Sequence, residues 1–424
     1  MSRAMKDSGI PWIGEIPSHW RLFQTSTLFH EHKEKNNGLK EKNLLSLSYG
    51  QIKRKDINSS EGLLPQSFET YNIIDKGDIV FRLTDLQNDK RSLRTGLCKE
   101  RGIITSAYVS VRANTEIDCR YFHYLYHSYD ICKVFYGLGD GVRQGMNYDD
   151  LKKLLVFLPP IHEQQSIADF LDKKCGEIDE MVSLQERIVE ELKAYKQSVI
   201  TEAVCKGLNP DAPMKDSGIE WIGQIPEGWN IQPIKWGFDI IAGATPKSDN
   251  PDYWGGPIPW ITPADYKTED RYIKEGSRFL TEAGMASCST TLLPTNSVIF
   301  SKRAPIGLVV VNQEPICTNQ GCFGCVSHGD CSSYYYYAMS AFTEQYGLYG
   351  SGTTFKEISA SLFADFPLPH PPVIEQQAIA DYLDTKCAEI NTLISLKQSK
   401  IESLKEYKKS IIYEYITGKK ELNG

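Results

Sequence analysis

The chain has 424 residues, with 47 basic and 54 acidic side chains and a net charge of -7. Its 41% apolar and 24% charged residues are typical of folded globular proteins and exclude a disordered or collagen-like chain. At about 100 to 200 residues per domain, the length predicts two to four domains. The sequence has neither a membrane-length apolar run nor a signal-peptide core, and its eleven cysteines lack regular spacing. We therefore expect a soluble protein of the cytoplasm.

The sequence contains an internal duplication. Met5–Trp20 and Met214–Trp229 are identical at 12 of 16 positions. Pro159–Ile200 and Pro371–Ile412 agree at 23 of 42 positions. The residues between these anchors share little obvious sequence, although the two intervals are nearly equal in length. The duplication predicts two equivalent halves in which shared anchors flank a variable insert.

The first insert, residues 21–158, is predicted to be a mixed domain with more strand than helix. Ile79–Phe81 and Ser106–Val111 are short runs rich in β-branched or aromatic residues, and turn residues separate them. Arg120–Phe135 is predicted to be helical. Residues 1–158 are thus assigned to a first domain.

A long helix is predicted after the first insert. Apolar residues recur every three or four positions from Ile167 to Val199, with Glu and Lys between them. A helix from Glu163 to Lys206 would be about 65 Å long at 1.5 Å per residue. Residues 159–213 are assigned to this spacer, although Gly207, Asn209 and Pro210 leave a flexible linker at its end as an alternative.

The second half repeats this pattern over residues 214–370 and 371–424. Strands are predicted at Ser297–Phe300 and Leu308–Val311, and a helix at Ser333–Tyr346. An apolar stripe from Ile379 to Tyr415 predicts the second long helix. Two equivalent halves that pair through equivalent helices are most simply related by a two-fold axis, which makes the helices antiparallel.

The repeated motifs SGIPWIGEIP and LPPIHEQQSIADFLDKK resemble those of the specificity subunits of type I restriction-modification systems. In the second insert, GATPKSDNPDYWGGPIPWITPADY, SKRAPIG, TNQGC and TTFKEIS also resemble that family, and the resemblance covers essentially the whole chain. It implies an α+β architecture in which two α/β target recognition domains are separated by two long helices forming an antiparallel coiled coil, with an internal pseudo-two-fold repeat. It also implies that each domain recognises one half of a bipartite double-stranded DNA target.

The same resemblance implies partner proteins, namely two modification (methyltransferase) subunits and restriction/translocase subunits. By segment, the net charge is +4 for residues 1–158, -5 for 159–213, -6 for 214–369 and 0 for 370–424. Because neutralisation of phosphates supplies much of the affinity for DNA, a chain with this balance is expected to need basic surface from its partners.

Candidate DNA contacts are the polar and basic side chains of the insert loops, since Arg and Lys address guanine, Asn and Gln address adenine, and Ser or Thr bind phosphate. In the first insert these are Lys53, Arg54, Lys55, Arg82, Gln87, Asn88, Lys90, Arg91, Arg94, Arg143, Gln144 and Asn147. In the second they are Thr245, Lys247, Ser248, Lys302, Arg303, Thr354 and Lys356. The alternative for each is a solvated surface loop, and for Lys302 and Arg303 it is a structural role.

The sequence shows no phosphate-binding loop, nucleophile elbow or methyltransferase motif, so we predict a non-catalytic chain without a metal or cofactor of its own. S-adenosylmethionine, ATP and Mg²⁺ are expected in the partner subunits. Cys317, Cys322 and Cys325 have the spacing of ferredoxin ligands, but burial as small apolar residues is the favoured interpretation. His162-Glu163 begins like a zinc-protease motif, but the second histidine is missing, which favours a helix start.

Two functions from different classes remain. A DNA-recognition scaffold explains the duplication, the paired helices and the divergent inserts together. A bivalent protein-binding adaptor without DNA recognition is the alternative, and the acidic balance would favour it.

Overall fold

The structure is a computed structural model that describes residues 3–57, 67–86, 93–137, 145–266, 271–350 and 356–422. Its internal contacts divide the chain into two compact units. The first contains residues 1–186 and 399–424, and the second contains residues 187–398. Each unit therefore combines one anchor, one insert and a part of each long helix.

The two long helices are Ile161–Lys206 and Val373–Ile416, with 46 and 44 residues. The first begins two residues before the predicted start at Glu163 and ends at the predicted residue. A Pro-Pro pair precedes each helix, which suits a helix start because proline cannot donate a backbone hydrogen bond. Among the helices of the described residues, none has the length and apolar content needed to cross a membrane.

The first unit is built mainly of short strands around one medium helix. Its strands are Met5–Asp7, Glu15–Pro17, Arg21–Gln24, Phe29–Glu31, Glu34–Lys35, Leu45–Ser48, Gln51–Arg54, Asn72–Ile74, Ile79–Phe81, Thr95–Leu97, Gly102–Ile104, Val109–Ala113 and Leu155–Leu158. Its shorter helices are Thr25–Leu28, Cys119–Ile131 and Tyr148–Leu151, with a 3₁₀ turn at Val134–Gly137.

The second unit repeats this plan with longer strands. Its strands are Met214–Asp216, Gln224–Pro226, Asn230–Pro233, Phe238–Ala242, Trp254–Ile261, Tyr272–Ile273, Arg278–Leu280, Val298–Ser301, Val309–Asn312, Cys317–Thr318, Cys322–Ser327 and Pro367–His370. Its shorter helices are Ile234–Gly237, Glu282–Ala286, Ser332–Ala341, Thr343–Tyr349 and Ala360–Ala364, with 3₁₀ turns at Pro251–Tyr253 and Pro263–Asp265.

Each insert packs a helix against its main sheet. In the first unit the helix Cys119–Ile131 packs through Phe122 and Tyr126 on Phe29 and Phe81, with ring centroids 5.0 to 6.0 Å apart. In the second unit the strand order of the five-stranded sheet is Phe238–Ala242, Cys322–Ser327, Val298–Ser301, Val309–Asn312, Tyr272–Ile273. The predicted strand Ile79–Phe81 has the predicted bounds. The other three predicted strands are present but displaced by one to three residues, because the ends of strands are set by pairing with distant segments.

Within each unit the two long helices run antiparallel. In the first unit the Lys408 ammonium lies 2.6 Å from a carboxylate oxygen of Asp179, and the rings of Phe170 and Tyr415 are 4.4 Å apart. Later residues of one helix thus meet earlier residues of the other. In the second unit Lys196 donates to Asn391 Oδ1 at 2.9 Å. The predicted antiparallel pairing is confirmed.

A buried tryptophan joins the two helices in the first unit. Trp20 Nε1 donates to Glu163 Oε2 at 2.9 Å, at the start of the first long helix. Gly418, just past the end of the second long helix, has a φ of 69° and no room for a side chain, because an added Cβ would lie 2.5 Å from Pro17 and 2.9 Å from the Trp20 ring. We call Trp20, Glu163 and Gly418 the first junction.

The second unit repeats this arrangement with the helices exchanged. Trp229 Nε1 donates to Glu375 Oε2 at 2.9 Å, at the start of the second long helix. Gly207, just past the end of the first long helix, has a φ of 72°, and an added Cβ would lie 3.0 Å from the Trp229 ring. These residues form the second junction. Because Gly207 is packed against the ring, the flexible-linker alternative does not describe the start of this segment.

The repeated Glu-Gln-Gln motif also ties each insert to its helix. Gln164 Nε2 donates to the Pro159 carbonyl at 2.8 Å, and its Oε1 accepts from the backbone N–H of Asp118 at 3.0 Å. Gln376 binds the Pro371 carbonyl and the backbone N–H of Cys331 in the same way, at 3.0 and 2.8 Å. The motif is therefore a helix start, as predicted, and it also anchors the insert to the helix.

Candidate nucleic-acid interface

The basic run Lys53-Arg54-Lys55 lies on a β-hairpin in the first unit. Strand Leu45–Ser48 pairs antiparallel with Gln51–Arg54, so that Ser46 faces Lys53 and Ser48 faces Gln51. Successive side chains of a strand point to opposite faces. The hairpin therefore separates Lys53 and Lys55, which share one face, from Arg54 on the other.

The two faces of this hairpin differ in their contacts. Arg54 forms a bidentate ion pair with Glu100, in which Nε donates at 2.8 and 3.0 Å to the two carboxylate oxygens. This hydrogen bond lowers the pKa of Glu100. Lys53 and Lys55 are exposed, and among the described residues neither side chain has an ion-pair or hydrogen-bond partner. Of the three predicted contacts, these two have their charge available to a ligand.

The hairpin turn packs beside a second predicted region. A Cβ added to Gly50 would lie 3.1 Å from Leu93, the first described residue after position 92. Four predicted contacts in that region, and three near the other insert loops, fall outside the described residues. They are Gln87, Asn88, Lys90, Arg91, Arg143, Gln144 and Thr354.

Arg94 requires a correction, because it is not on the surface. Its exposed fraction is 0%, and its guanidinium donates to the carbonyls of Arg82, Thr84 and Asp85 at 3.2, 2.7 and 3.1 Å. A planar guanidinium with five donors is well suited to bind several carbonyls of one turn. Arg94 therefore shapes the loop after Ile79–Phe81 and cannot contact DNA in this structure.

Asn147 also has a structural role. Its side-chain oxygen accepts from the backbone N–H groups of Asp149 and Asp150 at 2.7 and 3.3 Å, which makes it the N-cap of the helix Tyr148–Leu151. Just before it, Met146 donates its backbone N–H to the Leu83 carbonyl at 2.9 Å. Arg82 is half-buried at the base of the same loop. The segment around Met146 thus fixes the loop that follows Phe81.

In the second unit the predicted motifs converge. The backbone N–H of Ala244 donates to the Thr318 carbonyl at 3.0 Å, and the Thr245 hydroxyl contacts the Gln320 side chain. The backbone N–H of Lys302 donates to the Gly321 carbonyl at 2.9 Å. The GATPKS, TNQG and SKRAPIG segments are therefore neighbours.

Two tryptophans position the GATPKS loop. Trp260 Nε1 donates to the Ala244 carbonyl at 3.0 Å, and Trp254 Nε1 donates to the Lys247 carbonyl at 3.2 Å. The Arg278 guanidinium lies 3.2 Å from the centroid of the Trp254 ring and stabilises it by a cation–π contact. With the backbone held in this way, the side chains of Lys247 and Ser248 remain exposed.

Glu357 neutralises much of the positive charge of this cluster. Its carboxylate lies 2.7 Å from the Lys302 ammonium and 3.4 Å from the Arg303 guanidinium. The hydrogen bond from Lys302 lowers the pKa of Glu357. This pairing favours the structural role for Lys302 and Arg303. Lys356, the next residue on the chain, is exposed.

The cysteines with ferredoxin-like spacing lie inside the second unit. Cys317, Cys322 and Cys325 are fully buried on strands, which confirms the predicted burial. Burial raises the pKa of Cys317 to about 11 and that of Cys322 to about 12, so these thiols stay protonated at neutral pH.

Within the described residues, one group of side chains is close enough together to hold a metal ion, namely His32, Asp75 and Asp78 in the first unit. Arg112 already binds both carboxylates, at 2.8 Å for Asp75 and 2.7 Å for Asp78. Burial alone would raise the pKa of Asp75, but hydrogen bonds from Arg101 and Arg112 lower it. The acidic pair is therefore compensated by arginine.

Three exposed side chains beside the predicted contacts were missed. Tyr49 is at the turn of the first-unit hairpin, Gln51 follows it, and Gln320 contacts Thr245 in the second unit. A signal for the first two was present, because the alternating runs LSLS and QIKR flank a two-residue turn. Gln320 lies within the TNQGC motif, but its side chain carries no positive charge to mark it as a DNA contact.

Comparison with known proteins places these features in one family. A family model described as "Type I restriction modification DNA specificity domain" matches residues 24–194 and 226–406. The MjaIX specificity subunit of a type I restriction enzyme from Methanocaldococcus jannaschii is 37% identical over 166 residues, which is 38% of each chain. A putative type I restriction enzyme MjaX specificity subunit from the same organism is 25% identical over 96% of this chain and 95% of its own length.

Solved structures support the fold. A chain from a structural study of complex assembly and conformational transition of the type I R-M system has a TM-score of 0.73 and 18% identity, covering 95% of this chain and 98% of its own. The HsdS subunit from Thermoanaerobacter tengcongensis has a TM-score of 0.53 over the same shares. Since the family model spans most of the sequence in two tandem matches, this chain belongs to the family of type I restriction-modification DNA specificity domains.

Proposed function

We propose that this chain is the DNA sequence-recognition subunit of a type I restriction-modification complex and recognises a bipartite target with one half-site per recognition domain. The observation that carries the proposal is the tandem family match on a chain whose two units share junctions but differ in their inserts. A shared junction places each insert equivalently, and the unlike loops suit two unlike half-sites.

We propose that two modification subunits and restriction/translocase subunits assemble on this scaffold in the prokaryotic cytoplasm. The net charge of -7 supports this, because an acidic chain needs additional basic surface to neutralise DNA phosphates. Catalysis is assigned to the partners, which supply S-adenosylmethionine, ATP and Mg²⁺. The chain itself is proposed to be non-catalytic and to need no cofactor.

The alternative, a bivalent adaptor for proteins, is less well supported. It relied on the acidic balance, but both inserts carry exposed basic side chains, namely Lys53 and Lys55 in the first and Lys247 and Lys356 in the second. An adaptor also gives no reason for the family match. We therefore retain DNA recognition.

The test is methylation of random-sequence duplex DNA by the purified chain alone and by its complex with the modification subunits. We expect the complex to methylate one bipartite motif and the chain alone to methylate none. Methyl transfer by the chain free of partners would refute the non-catalytic assignment. Methylation by the complex without sequence preference, or only outside a bipartite motif, would refute the recognition role.

A further inference from the structure

The hairpin of Leu45–Ser48 and Gln51–Arg54 has one apolar face and one polar face. Its inner face carries Leu45, Leu47 and Ile52, which pack in a small core with Val80 and other buried residues. This core fixes the hairpin to the domain. The outer face is consequently held in a defined orientation.

The outer face presents a row of groups that can recognise nucleotides. Gln51 and Lys53 alternate on the strand Gln51–Arg54, Lys55 follows its end, and all three side chains are exposed. Ser46 and Ser48 stand directly opposite Lys53 and Gln51 on the other strand. Glutamine can bind adenine through two hydrogen bonds, lysine binds guanine or phosphate, and serine binds either.

Tyr49 occupies the tip of the hairpin in an unusual conformation. It has a φ of 47° and is followed by Gly50 with a φ of 77°, which together form the tight turn that suits a two-residue hairpin. A bulky residue is uncommon at positive φ, where Asn or Gly is the usual choice. The Tyr49 side chain is nevertheless 78% exposed, so packing within the unit does not explain its presence.

We propose that this hairpin is a two-stranded ribbon that enters the major groove of the half-site read by the first recognition domain. Gln51 recognises a base edge, Lys53 and Lys55 bind guanine or phosphate, and Tyr49 contacts the duplex from the tip. This inference rests on the proposed function and deepens it by naming the recognition element and its residues.

The geometry and charge favour DNA as the ligand. The major groove, about 12 Å wide, admits a two-stranded β-ribbon. The outer face carries the two lysines without ion-pair partners among the described residues, whereas Arg54 on the inner side is paired with Glu100. A protein ligand for such a face would need complementary acidic groups, while the duplex supplies phosphates along both edges of the groove.

The test uses the complex of this chain with its modification subunits, and sequencing of the methylated sites gives the motif. Gln51→Ala is expected to relax one base pair of one half-site, with discrimination there falling about ten-fold or more. Tyr49→Gly removes the ring and introduces a residue that tolerates the turn conformation. We expect it to weaken the binding of duplexes that carry the intact target. Neither variant should alter the other half-site.

The matched control is Gln313→Ala, which removes an exposed glutamine beside a strand of the second unit. It should leave both half-sites unchanged. If the wild-type complex has a bipartite motif and both hairpin variants keep its sequence and affinity, the hairpin assignment is wrong while the proposed function stands. If the wild type itself shows no sequence preference, both are wrong.

A third outcome would show that the hairpin binds a protein and not DNA. Loss of assembly with the modification subunits in Tyr49→Gly, with a thermal unfolding curve like that of the wild type, would place the hairpin at a subunit contact and overturn the inference.

Discussion

In the first unit Trp20 donates to Glu163 and packs against Gly418, and in the second Trp229 donates to Glu375 and packs against Gly207. The two tryptophan–glutamate hydrogen bonds are equal in length, at 2.9 Å. In contrast to the junctions, the candidate DNA-binding surfaces of the two units differ. The first unit offers a hairpin whose lysines have no ion-pair partner among the described residues, and in the second Glu357 compensates Lys302 and Arg303.

Shared junctions around unlike inserts allow the frame of the chain to stay constant while its recognition surfaces differ. Each junction fixes the start of one helix and the end of the other with contacts that involve few insert residues. Lys53, Lys55, Lys247 and Ser248 are exposed side chains outside these junctions, so the charge and shape that they present can vary. Four predictions test or refine this comparison.

The largest effect is expected from changing the length between the junctions. We expect four residues added to each long helix, between Glu186 and Arg187 and between Gln398 and Ser399, to lengthen the gap between half-sites by one or two base pairs. Four residues add about one turn, roughly 6 Å, against about 3.4 Å per base pair. Methylated motifs of wild type and variant give the gap, and an unchanged gap with full activity would contradict the prediction.

The end of the first long helix is not suitable for such an insertion. Ala203, Val204 and Cys205 are buried in the core of the second unit, and Gly207 packs on Trp229. An insertion there would disrupt the second junction instead of changing the spacing.

The next effect concerns one junction at a time. Trp20→Ala should lower the free energy of unfolding of the first unit by about 3 to 5 kcal/mol, because it leaves a large cavity and removes the hydrogen bond to Glu163. Hydrogen exchange measured in denaturant would locate the loss. Trp236→Ala is the matched control, since that ring is 63% exposed, and its effect should be small. Equal losses for both variants would mean that the junction adds no particular stability.

An intermediate effect on the stability of the first unit is expected from a fall in pH. Burial lowers the pKa of His123 to about 4 and that of His127 to about 3 in the first unit. At the corresponding positions of the second unit the helix carries Tyr336 and Ser340, as judged from the matched contacts of Tyr121 and Tyr334. The first unit should therefore be the more sensitive to acid.

The direction follows from proton binding. Both imidazoles are neutral in the folded protein, whereas in the unfolded chain they take up protons below about pH 6.5. Their contribution to stability is therefore complete above that pH and is lost between about pH 6.5 and 3. Asp172 and Lys99 act on His123, and His123 and Lys408 act on His127. His127→Ser should reduce the loss, as measured by unfolding at pH 7 and 5. An unchanged pH dependence in this variant would exclude His127 as a cause.

The smallest effect is expected from the polar contact between the two long helices, which differs between the units. Lys408 binds the carboxylate of Asp179, whereas the equivalent Lys196 binds the amide of Asn391. Asp179→Asn makes the first pair like the second and should cost less than about 1 kcal/mol, because the ion pair is partly exposed. Denaturation at low and high salt should show that the difference from wild type shrinks with salt. A loss that is independent of salt would argue against an ionic contribution.

The helices and their pairing could be predicted because a periodic apolar stripe is a local signal and the duplication supplies the partner. The junctions could not, since Trp20 and Glu163 are far apart in sequence and neither residue alone indicates a hydrogen bond. Arg94 shows the same limit for the candidate site. The sequence around Arg94 is typical of a surface loop. Only the folded turn reveals the three carbonyls that surround its guanidinium. Lys53 and Arg54 lie on opposite faces of the hairpin because side chains alternate along a strand. Which face each residue occupies depends on the register of the hairpin.

Exchange of an insert shows whether each unit recognises one half-site independently. Residues 21–158 would be replaced by the insert of a family member with a different target, and the methylated motif of the resulting complex would be sequenced. We expect one half of the motif to change and the other half to stay the same. A change in both halves, or in neither, would contradict independent recognition.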